Sequence, residues 1–490
     1  MRRTRGAVAF AVPAAVSLAL GLWGLRRGGS MWRDEAVTYD MAHRELPQLW
    51  GTLAGIDAVH GLYYLLMHGL FRLFGDADPL LVLRLPSALA IAAACGTLAL
   101  VGRRLAGPRA GLLAGVAFAL LPSVQRHAQE GRSYALVCAL VVWATYLLVR
   151  AVESGTRRAW AGYGAVLLGA CLLHEFAVLA LAAHALAVPP GRRRALLRVA
   201  VPVCVLLAPL AVLSMGQSEQ VAWIGFPADE FAAFLGMALA ALVCAGLLLP
   251  RSGTVGLPEL RGALRPSTLR TTVRTVLLHG RGGLPLLGLA LLIVPTLILV
   301  VVTPVKPLYV DRYVLYGNAG AALLVGAALS RVRARALLVT VGCVVLALLL
   351  PPSLQMRTPD SRVDNVTAVA ETVREAGRDA DGVLYMPARR RVWSLPDPGA
   401  FRGLRDVAAA GTPVASHTLY GTEADPAVIR ARMLATPRIL AVSDPQGQPL
   451  DRTPQEEVKR QVLATAFEEC GSLRVKGARI TLYARPGDCP

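Results

Sequence analysis

Charged residues are scarce in this chain. They make up 17% of its 490 residues, whereas 55% are hydrophobic, and the mean hydropathy is +0.51. This balance excludes an ordinary soluble enzyme and is typical of a protein with many membrane-spanning helices. Lysine is rarer still, because Lys306, Lys459 and Lys476 are the only three lysines among 51 basic residues. The preference for arginine indicates GC-rich coding and hence a bacterial source.

The chain also lacks the motifs of common metal and phosphate sites. Its eight cysteines show no C-x-x-C or Cys/His metal spacing, and most lie in apolar runs, as small core residues do. Cys470 and Cys489 lie in a polar region, where a disulfide can form if that region is outside the cytoplasm. The C-terminal region has no glycine-rich phosphate loop, H-E-x-x-H or G-x-S-x-G. We predict no set of metal ligands and no certain cofactor. A role for a divalent cation is left open.

Long apolar runs predict eleven membrane crossings. A crossing helix needs roughly 20 apolar residues, and such runs occur at about 7–25, 80–101, 133–149, 197–213, 229–249, 284–302, 313–330 and 335–351, with shorter ones near 110–122, 159–172 and 175–188. The first run follows "MRRTR", as in a signal peptide, but it lacks an A-x-A cleavage site. We interpret it as a retained anchor.

The arginine clusters orient these helices. They lie at 2–5, 102–109, 150–158, 191–198, 251–283 and 330–335. Because short cytoplasmic loops are enriched in arginine and lysine, we place these clusters inside. The N-terminus is then cytoplasmic, and the C-terminal region lies outside the plasma membrane. Topology thus accounts for the net charge of +19, and nucleic acid is not an expected partner.

Residues 61–75 cannot be a simple crossing, because both neighbouring segments are predicted outside. Fifteen helical residues span about 22 Å, less than the roughly 30 Å hydrocarbon core. Polar and apolar side chains fall on two faces, formed by His60, Tyr64, His68 and Arg72 and by Leu62, Leu65, Leu66, Leu70 and Leu73. We predict an amphipathic helix on the outer membrane surface, within a first outer loop at 26–79.

The composition becomes that of a soluble domain from about residue 353. Helical patterns near 362–376 and 454–469 alternate with short apolar runs at 382–387, 438–443 and 479–485. The predicted fold is a polytopic α-helical membrane module at 1–352, followed by a small extracytoplasmic α/β domain at 353–490.

Ionisable residues collect at the outer helix ends, and the predicted spans contain almost none. This argues against a carrier, which usually places polar groups near the bilayer midplane. A site at the outer surface suits a sugar donor carried on a polyprenyl phosphate. A carboxylate would take the proton of the acceptor hydroxyl, and arginines would hold the departing phosphate. That phosphate has a second pKa of about 6 and can leave without a general acid.

The outer segments resemble a known family. The runs "MWRDEAVTYDMAHRELPQLW", "DAVHGLYYLLMHGLFRLFG", "VLRLPSALA", "GRRLAGP" and "LPSVQRHAQEGRSYALV" are similar to the N-terminal module of the GT-C glycosyltransferases. The nearest pattern is that of family 39, which includes protein O-mannosyltransferases and lipid A aminoarabinose transferases. The resemblance covers roughly residues 5–190, and residues 300–350 more loosely.

The resemblance implies roles for particular residues. Asp34 matches the catalytic acid and Glu35 its partner, although Glu35 could also pair with Arg33. Glu130, Arg132 and Tyr134 match the second outer-loop motif, and Arg312 with Tyr313 matches an "RY" that faces the donor phosphate. The arginines could instead anchor helix ends at headgroup level. This chain has His60 followed by Gly61, where family members often show "HP".

Our leading hypothesis is that the protein transfers a sugar from a polyprenyl phosphate donor to an extracytoplasmic glycan, lipid or protein, with inversion at C1 of the sugar. Mannose is the expected sugar, and arabinose-type sugars come next. The catalytic candidates are Asp34 and Glu35, the donor-phosphate candidates are Arg132, Arg312 and Tyr313, and the substrate-binding candidates are Asp57, His60, Tyr64, Arg84, Glu130, Tyr134, His174 and Glu175. The alternatives are a lipid translocase or transporter without covalent chemistry and an inert envelope scaffold.

Overall fold

The computed structural model describes residues 2–217, 228–249, 283–304 and 308–490. Most of the basic loop predicted at 251–283, and Lys306, lie outside these residues. The chain forms two compact units, Met1–Trp23 with Arg84–Ser353 and Gly24–Leu83 with Leu354–Pro490. Most of the predicted first outer loop therefore groups with the C-terminal region.

Helices dominate the described chain. They are α1 (Arg2–Leu22), α2 (Arg33–His43), α3 (Leu46–Gly55), α4 (Gly61–Leu73), α5 (Pro79–Ala106), α6 (Pro108–Leu120), α7 (Pro122–Ala128), α8 (Tyr134–Ser154), α9 (Arg157–Leu173), α10 (Leu179–Ala187), α11 (Arg193–Gly216), α12 (Ala228–Leu248), α13 (Leu284–Val302), α14 (Asn318–Arg331), α15 (Arg335–Gln355), α16 (Val366–Ala376), α17 (Pro426–Leu434) and α18 (Pro454–Ala466).

Eight helical segments of the described residues are long and apolar enough to cross a membrane. They are Gly6–Gly29, Pro79–Ala106, Tyr134–Ser154, Pro190–Gly216, Ala228–Leu248, Leu284–Val302, Asp311–Arg331 and Arg335–Gln355. The three shorter runs form α6, α9 and α10. Since α6 has 13 residues, it rises about 20 Å, less than the hydrocarbon core. The chain is a multi-pass membrane protein, as predicted, and the count of eleven crossings stays a prediction.

Small residues bring the helices of the first unit together. A Cβ atom on Gly320 of α14 would lie 2.1 Å from the carbonyl oxygen of Gly288 in α13. One on Gly326 would lie 2.4 Å from the backbone nitrogen of Ala114 in α6. Such close approaches are typical of helix packing in membranes, where dispersion contacts replace the hydrophobic effect. This packing fixes α14, and with it the short 3-10 segment Asp311–Gly317 that precedes it.

The second unit contains the sheet. Its strands are β1 (Gly382–Met386), β2 (Arg405–Asp406), β3 (Ala409–Gly411), β4 (Thr422–Glu423), β5 (Arg438–Ser443), β6 (Glu468–Val475) and β7 (Ala478–Ala484). Five of them form a sheet in the order β2-β1-β5-β7-β6, and β3 pairs with β4. Strand β1 is parallel to β2 and β5, whereas β7 is antiparallel to β5 and β6. Leu384, Ile439 and Met433 lie in its core.

The predicted α/β character of the C-terminal region is confirmed. The three apolar runs form β1, β5 and β7, and the two helical patterns form α16 and α18. Strand β6 was missed by the sequence analysis. Its residues are mostly exposed, and charged side chains on an edge strand hide the apolar alternation that marks a half-buried strand.

Helix α4 shows the two predicted faces except at Arg72, whose side chain is 63% exposed. Tyr64 and His68 are buried within the second unit, whereas Leu62, Leu65 and Leu66 are 41%, 36% and 39% exposed. This is the reverse of a water-facing helix, which buries its leucines. The exposed leucines agree with the predicted contact to lipid.

Candidate active site

The predicted site residues divide between the two units. The second unit holds Asp34, Glu35, Asp57, His60 and Tyr64, and the first holds Arg84, Glu130, Arg132, Tyr134, His174, Glu175, Arg312 and Tyr313.

The acidic pair lies in the first turn of α2, where carboxylates interact favourably with the helix dipole. Glu35 is completely buried, and its Oε2 lies 2.7 Å from Nη2 of Arg27, which is also completely buried. Its ion-pair partner is therefore Arg27 and not Arg33, which the sequence analysis had left open. The Asp34 side chain is 22% exposed. Because a buried, paired carboxylate is poorly placed to take a proton from a substrate, Asp34 is the better candidate base.

The beginning of α2 is also held by a residue that the sequence analysis missed. The backbone N–H of Arg33 donates to Oδ1 of Asp364 at 3.0 Å. The Asp364 carboxylate accepts a second hydrogen bond from Nε1 of Trp393 at 3.4 Å. Burial raises the pKa of Asp364, and the charge of Arg33 opposes this shift. Asp364 satisfies a helix N–H that would otherwise lack a partner within α2, and no local pattern signals it.

Asp57 gathers two other predicted binding residues. It has left-handed backbone angles, φ 61° and ψ 29°. Its Oδ1 lies 2.8 Å from Nδ1 of His60, and its Oδ2 accepts a hydrogen bond from the Tyr64 hydroxyl. All three residues are buried. These contacts use both carboxylate oxygens of Asp57 and bring three predicted substrate-binding residues together.

The charges of Asp57 and Asp34 also influence a tyrosine of the C-terminal region. Burial raises the pKa of Tyr420, and the negative charges of Asp57 and Asp34 raise it further. Arg33 and Arg389 act in the opposite direction. The phenol of Tyr420 therefore stays protonated. The sequence analysis missed it, because more than 350 residues separate it from Asp34 and Asp57.

In the first unit, two arginines flank one tyrosine ring. The guanidinium carbons of Arg132 and Arg312 lie 5.9 Å and 5.5 Å from the centroid of Tyr134, within the range of cation–π attraction. The same ring lies 5.9 Å from the ring of Tyr313 and 5.6 Å from that of His174. The structure thus brings together three predicted donor-phosphate residues and two predicted substrate-binding residues. The planar guanidinium group of an arginine can donate two parallel hydrogen bonds to phosphate oxygens, so two such groups can bind a phosphate.

Glu130 is placed in the interior of the same unit. It is 2% exposed, and its Oε1 accepts from Nε of Arg126 at 3.3 Å. Its backbone carbonyl accepts from the Ser87 hydroxyl at 2.6 Å. These contacts fit a residue that holds the loop before α8. Arg84, in α5, is also completely buried.

Glu175 has a partner that the sequence did not indicate. The Ser214 hydroxyl in α11 lies 2.7 Å and 2.8 Å from the two carboxylate oxygens of Glu175. The next residue, Phe176, packs against Tyr313 with ring centroids 5.3 Å apart. Glu175 thus links α11 to the segment that borders the aromatic cluster. Across residues 2–217, 228–249, 283–304 and 308–490, no group of three or more His, Cys, Asp or Glu residues could hold a metal ion.

Known proteins share this architecture. Residues 62–216 match the sequence profile of a family described as dolichyl-phosphate-mannose-protein mannosyltransferase. The structure of ArnT from Cupriavidus metallidurans in the apo state is 14% identical and matches 98% of this chain and 98% of that chain, with a TM-score of 0.56. The chain has the GT-C glycosyltransferase fold. ArnT bound to undecaprenyl phosphate is also 14% identical and matches 96% of this chain and 97% of that chain, with a TM-score of 0.52.

The resemblance to the GT-C glycosyltransferases is confirmed by the profile match over residues 62–216 and by the shared fold. The archaeal oligosaccharyltransferase AglB from Archaeoglobus fulgidus, in complex with an inhibitory peptide and a dolichol-phosphate, is 14% identical. It matches 90% of this chain and 70% of that chain with a TM-score of 0.47. No curated protein sequence matches this chain.

Proposed function

We propose that this GT-C protein transfers mannose from a polyprenyl phosphate donor to a hydroxyl of an extracytoplasmic acceptor, with inversion at C1 of the sugar. The observation that carries the proposal is the convergence of Arg132 and Arg312 on the ring of Tyr134. A phosphate held by two guanidinium groups is the leaving group that such a donor requires. The matched family profile names a dolichyl-phosphate-mannose donor, and ArnT binds undecaprenyl phosphate.

In the proposed reaction Asp34 is the general base. Its carboxylate takes the proton of the acceptor hydroxyl while the hydroxyl oxygen forms a bond to C1. The bond between C1 and the phosphate oxygen breaks, and its electron pair leaves with the polyprenyl phosphate. Arg132 and Arg312 stabilise the charge that develops on the phosphate. Attack opposite the leaving group inverts C1.

The proposed orientation places the C-terminal region outside the cytoplasm, in the envelope of a bacterium. A disulfide joins Cys470 and Cys489, whose Cα atoms are 5.4 Å apart. Disulfides persist in oxidising compartments and are rare in the cytosol. The bond supports an extracytoplasmic location, and the arginine clusters support a cytoplasmic N-terminus. The acceptor is then a glycan, lipid or protein of the envelope.

Membranes that contain the Asp34→Asn variant test the proposal. They are supplied with polyprenyl phosphate carrying [14C]mannose, and label in the acceptor fraction is measured. We expect a loss of about 10²- to 10⁴-fold, because general-base catalysis contributes that much. Asp76→Asn, at an exposed acid of the same region, is the control and keeps wild-type activity.

Near wild-type transfer by Asp34→Asn would overturn the assignment. A translocase would instead move the labelled donor lipid between leaflets without forming a covalent product, and mass spectrometry of the product distinguishes the two.

A further inference from the structure

A cavity of about 780 Å³ lies between α1, α5 and α8 of the first unit. This volume is within the range of small-molecule sites, roughly 300–1,000 Å³. The apolar part of its wall consists of Ala7, Phe10 and Ala11 of α1 and Leu100 of α5. Ala7 and Ala11 are exposed on the surface of α1, a helix apolar enough to cross a membrane. This side of the cavity therefore borders lipid.

The remaining wall is polar and mostly basic. It contains Arg103 and Arg104 at the end of α5 and Tyr146 and Glu153 of α8. The guanidinium carbons of Arg104 and Arg150 lie 5.6 Å and 6.0 Å from the centroid of the Tyr146 ring, within the range of cation–π attraction. Nη2 of Arg104 also lies 3.2 Å from Oε2 of Glu153. The Tyr146 ring and the Glu153 carboxylate thus hold Arg104 at the cavity.

Positive charge exceeds negative charge at this wall. Arg103, Arg104, Arg150 and Glu153 together carry a net charge of +2, since three are arginines and one is a glutamate. A Cβ atom on Gly6 would lie 3.2 Å from Nη1 of Arg103, so the guanidinium group of Arg103 reaches the beginning of α1. Arginine side chains bind phosphate oxygens with paired N–H donors. The occupant that fits both parts of the wall combines an anionic group with a hydrocarbon chain.

The cavity is distant from the candidate donor-phosphate residues. Nineteen residues separate Tyr134 from Glu153 within α8, and the same number separate Arg84 from Arg103 within α5. Each interval corresponds to about 28 Å of helix, close to the roughly 30 Å thickness of the hydrocarbon core. The cavity therefore lies at the opposite ends of α5 and α8 from Arg84 and Tyr134, beside arginine clusters that we predict to be cytoplasmic.

We propose that this cavity binds an anionic phospholipid of the cytoplasmic leaflet. Its phosphate lies between Arg103 and Arg104, and an acyl chain follows the apolar wall formed by Ala7, Ala11 and Leu100. Basic pockets between membrane helices are suited to anionic lipid headgroups. The site is separate from the proposed sugar transfer, and its assignment does not depend on that reaction.

The double variant Arg103→Gln/Arg104→Gln tests the phosphate contact. Full-length protein in detergent is titrated with phosphatidylglycerol or with phosphatidylcholine of the same acyl chains, and native mass spectrometry measures the ratio of lipid-bound to lipid-free protein. We expect the affinity for phosphatidylglycerol to fall about 25-fold, because each basic group beside an anionic lipid contributes a factor of about five. Binding of phosphatidylcholine should not change. The control is Arg157→Gln/Arg158→Gln, at two exposed arginines at the beginning of α9, which should keep wild-type affinity for both lipids.

The Ala11→Trp variant tests the contact with the acyl chain. The indole ring fills the apolar side of the cavity and leaves its charges in place. We expect the affinity for phosphatidylglycerol to fall about tenfold, the effect of displacing about two methylene groups. The ratio of bound to free protein is measured on the folded species, so a lower yield of either variant does not affect it.

Unchanged phosphatidylglycerol affinity in Arg103→Gln/Arg104→Gln would overturn the proposal. Soluble glycerol 1-phosphate distinguishes a lipid site from a site for a free phosphate. If it displaces phosphatidylglycerol at equal concentration, or if Ala11→Trp binds the lipid as tightly as the wild type, the acyl chain does not contribute and the lipid assignment fails. Loss of affinity in both variants, without displacement by glycerol 1-phosphate, supports it.

Discussion

Arg27 and Glu35 form an ion pair that is closed to solvent, with 2.7 Å between Nη2 and Oε2 and no exposed surface on either side chain. Arg27 has a φ of +47°, in the left-handed region. The pair ties the turn at residues 27–29 to the first turn of α2. Asp34 directly precedes Glu35 in the chain, so the ion pair also positions the candidate base.

Removal of one partner of this pair should destabilise the protein strongly. In Glu35→Leu the buried charge of Arg27 loses its ion-pair partner Glu35, which costs about 3–5 kcal/mol. The double variant Arg27→Met/Glu35→Leu removes both charges and should recover most of that loss. Thermal unfolding in detergent measures both variants. If the double variant is no more stable than the single one, loss of the ion pair between Arg27 and Glu35 is not the cause.

Arg132 and Arg312 should each control affinity for the donor. A lysine keeps the charge but cannot offer the planar fork or stack on Tyr134, so Arg132→Lys and Arg312→Lys should each raise the KM for the donor about tenfold. Substitution by Met removes a charged hydrogen bond worth about 1.5–3 kcal/mol, which predicts a larger rise. Initial rates over a range of donor concentrations measure the effect. The control is Arg158→Met, at an exposed arginine, which should leave the KM for the donor unchanged. If the Arg132 and Arg312 variants also leave this KM unchanged, these arginines do not bind the donor phosphate.

The cysteines should separate into two classes. Cys470 and Cys489 form the disulfide, and the other six cysteines are free. Denatured protein should alkylate at six thiols without reductant and at eight after reduction, counted by mass spectrometry. Cys343→Ser should lower both counts by one. The disulfide closes a loop with a sequence separation of 19 residues, so its removal should cost about 3 kcal/mol. Eight reactive thiols without reductant would contradict the pairing.

The leucine face of α4 should contact lipid. A photoreactive diazirine residue at position Leu66, which is 39% exposed, should form adducts with phospholipid in reconstituted vesicles. The same residue at Leu450, which is 68% exposed in the C-terminal region, is the control and should react mainly with water. The adducts are counted by mass spectrometry after irradiation. Equal lipid labelling at both positions would argue against a helix at the membrane surface.

The outline of this protein was readable from local patterns. Membrane helices follow from the length of apolar runs, and α4 follows from a polar residue at every fourth position. The acidic pair, the "RY" motif and the outer-loop motif were recognisable because each is a short contiguous stretch. Strand β6 escaped because its exposed, charged residues carry no apolar alternation.

The sequence by itself determined the membrane class, the positions of most helices and of three of the seven strands in the described residues, and the short motifs that hold the candidate chemistry. Tertiary structure decided which residues meet. It paired Glu35 with Arg27, placed Asp364 at the beginning of α2 and brought Arg312 to the ring of Tyr134. Hydrophobic periodicity depends on neighbours within one or two helical turns, whereas these partners are set by helix packing and chain topology. For that reason Asp364, more than 300 residues beyond Asp34 in the chain, could be found only in the folded protein.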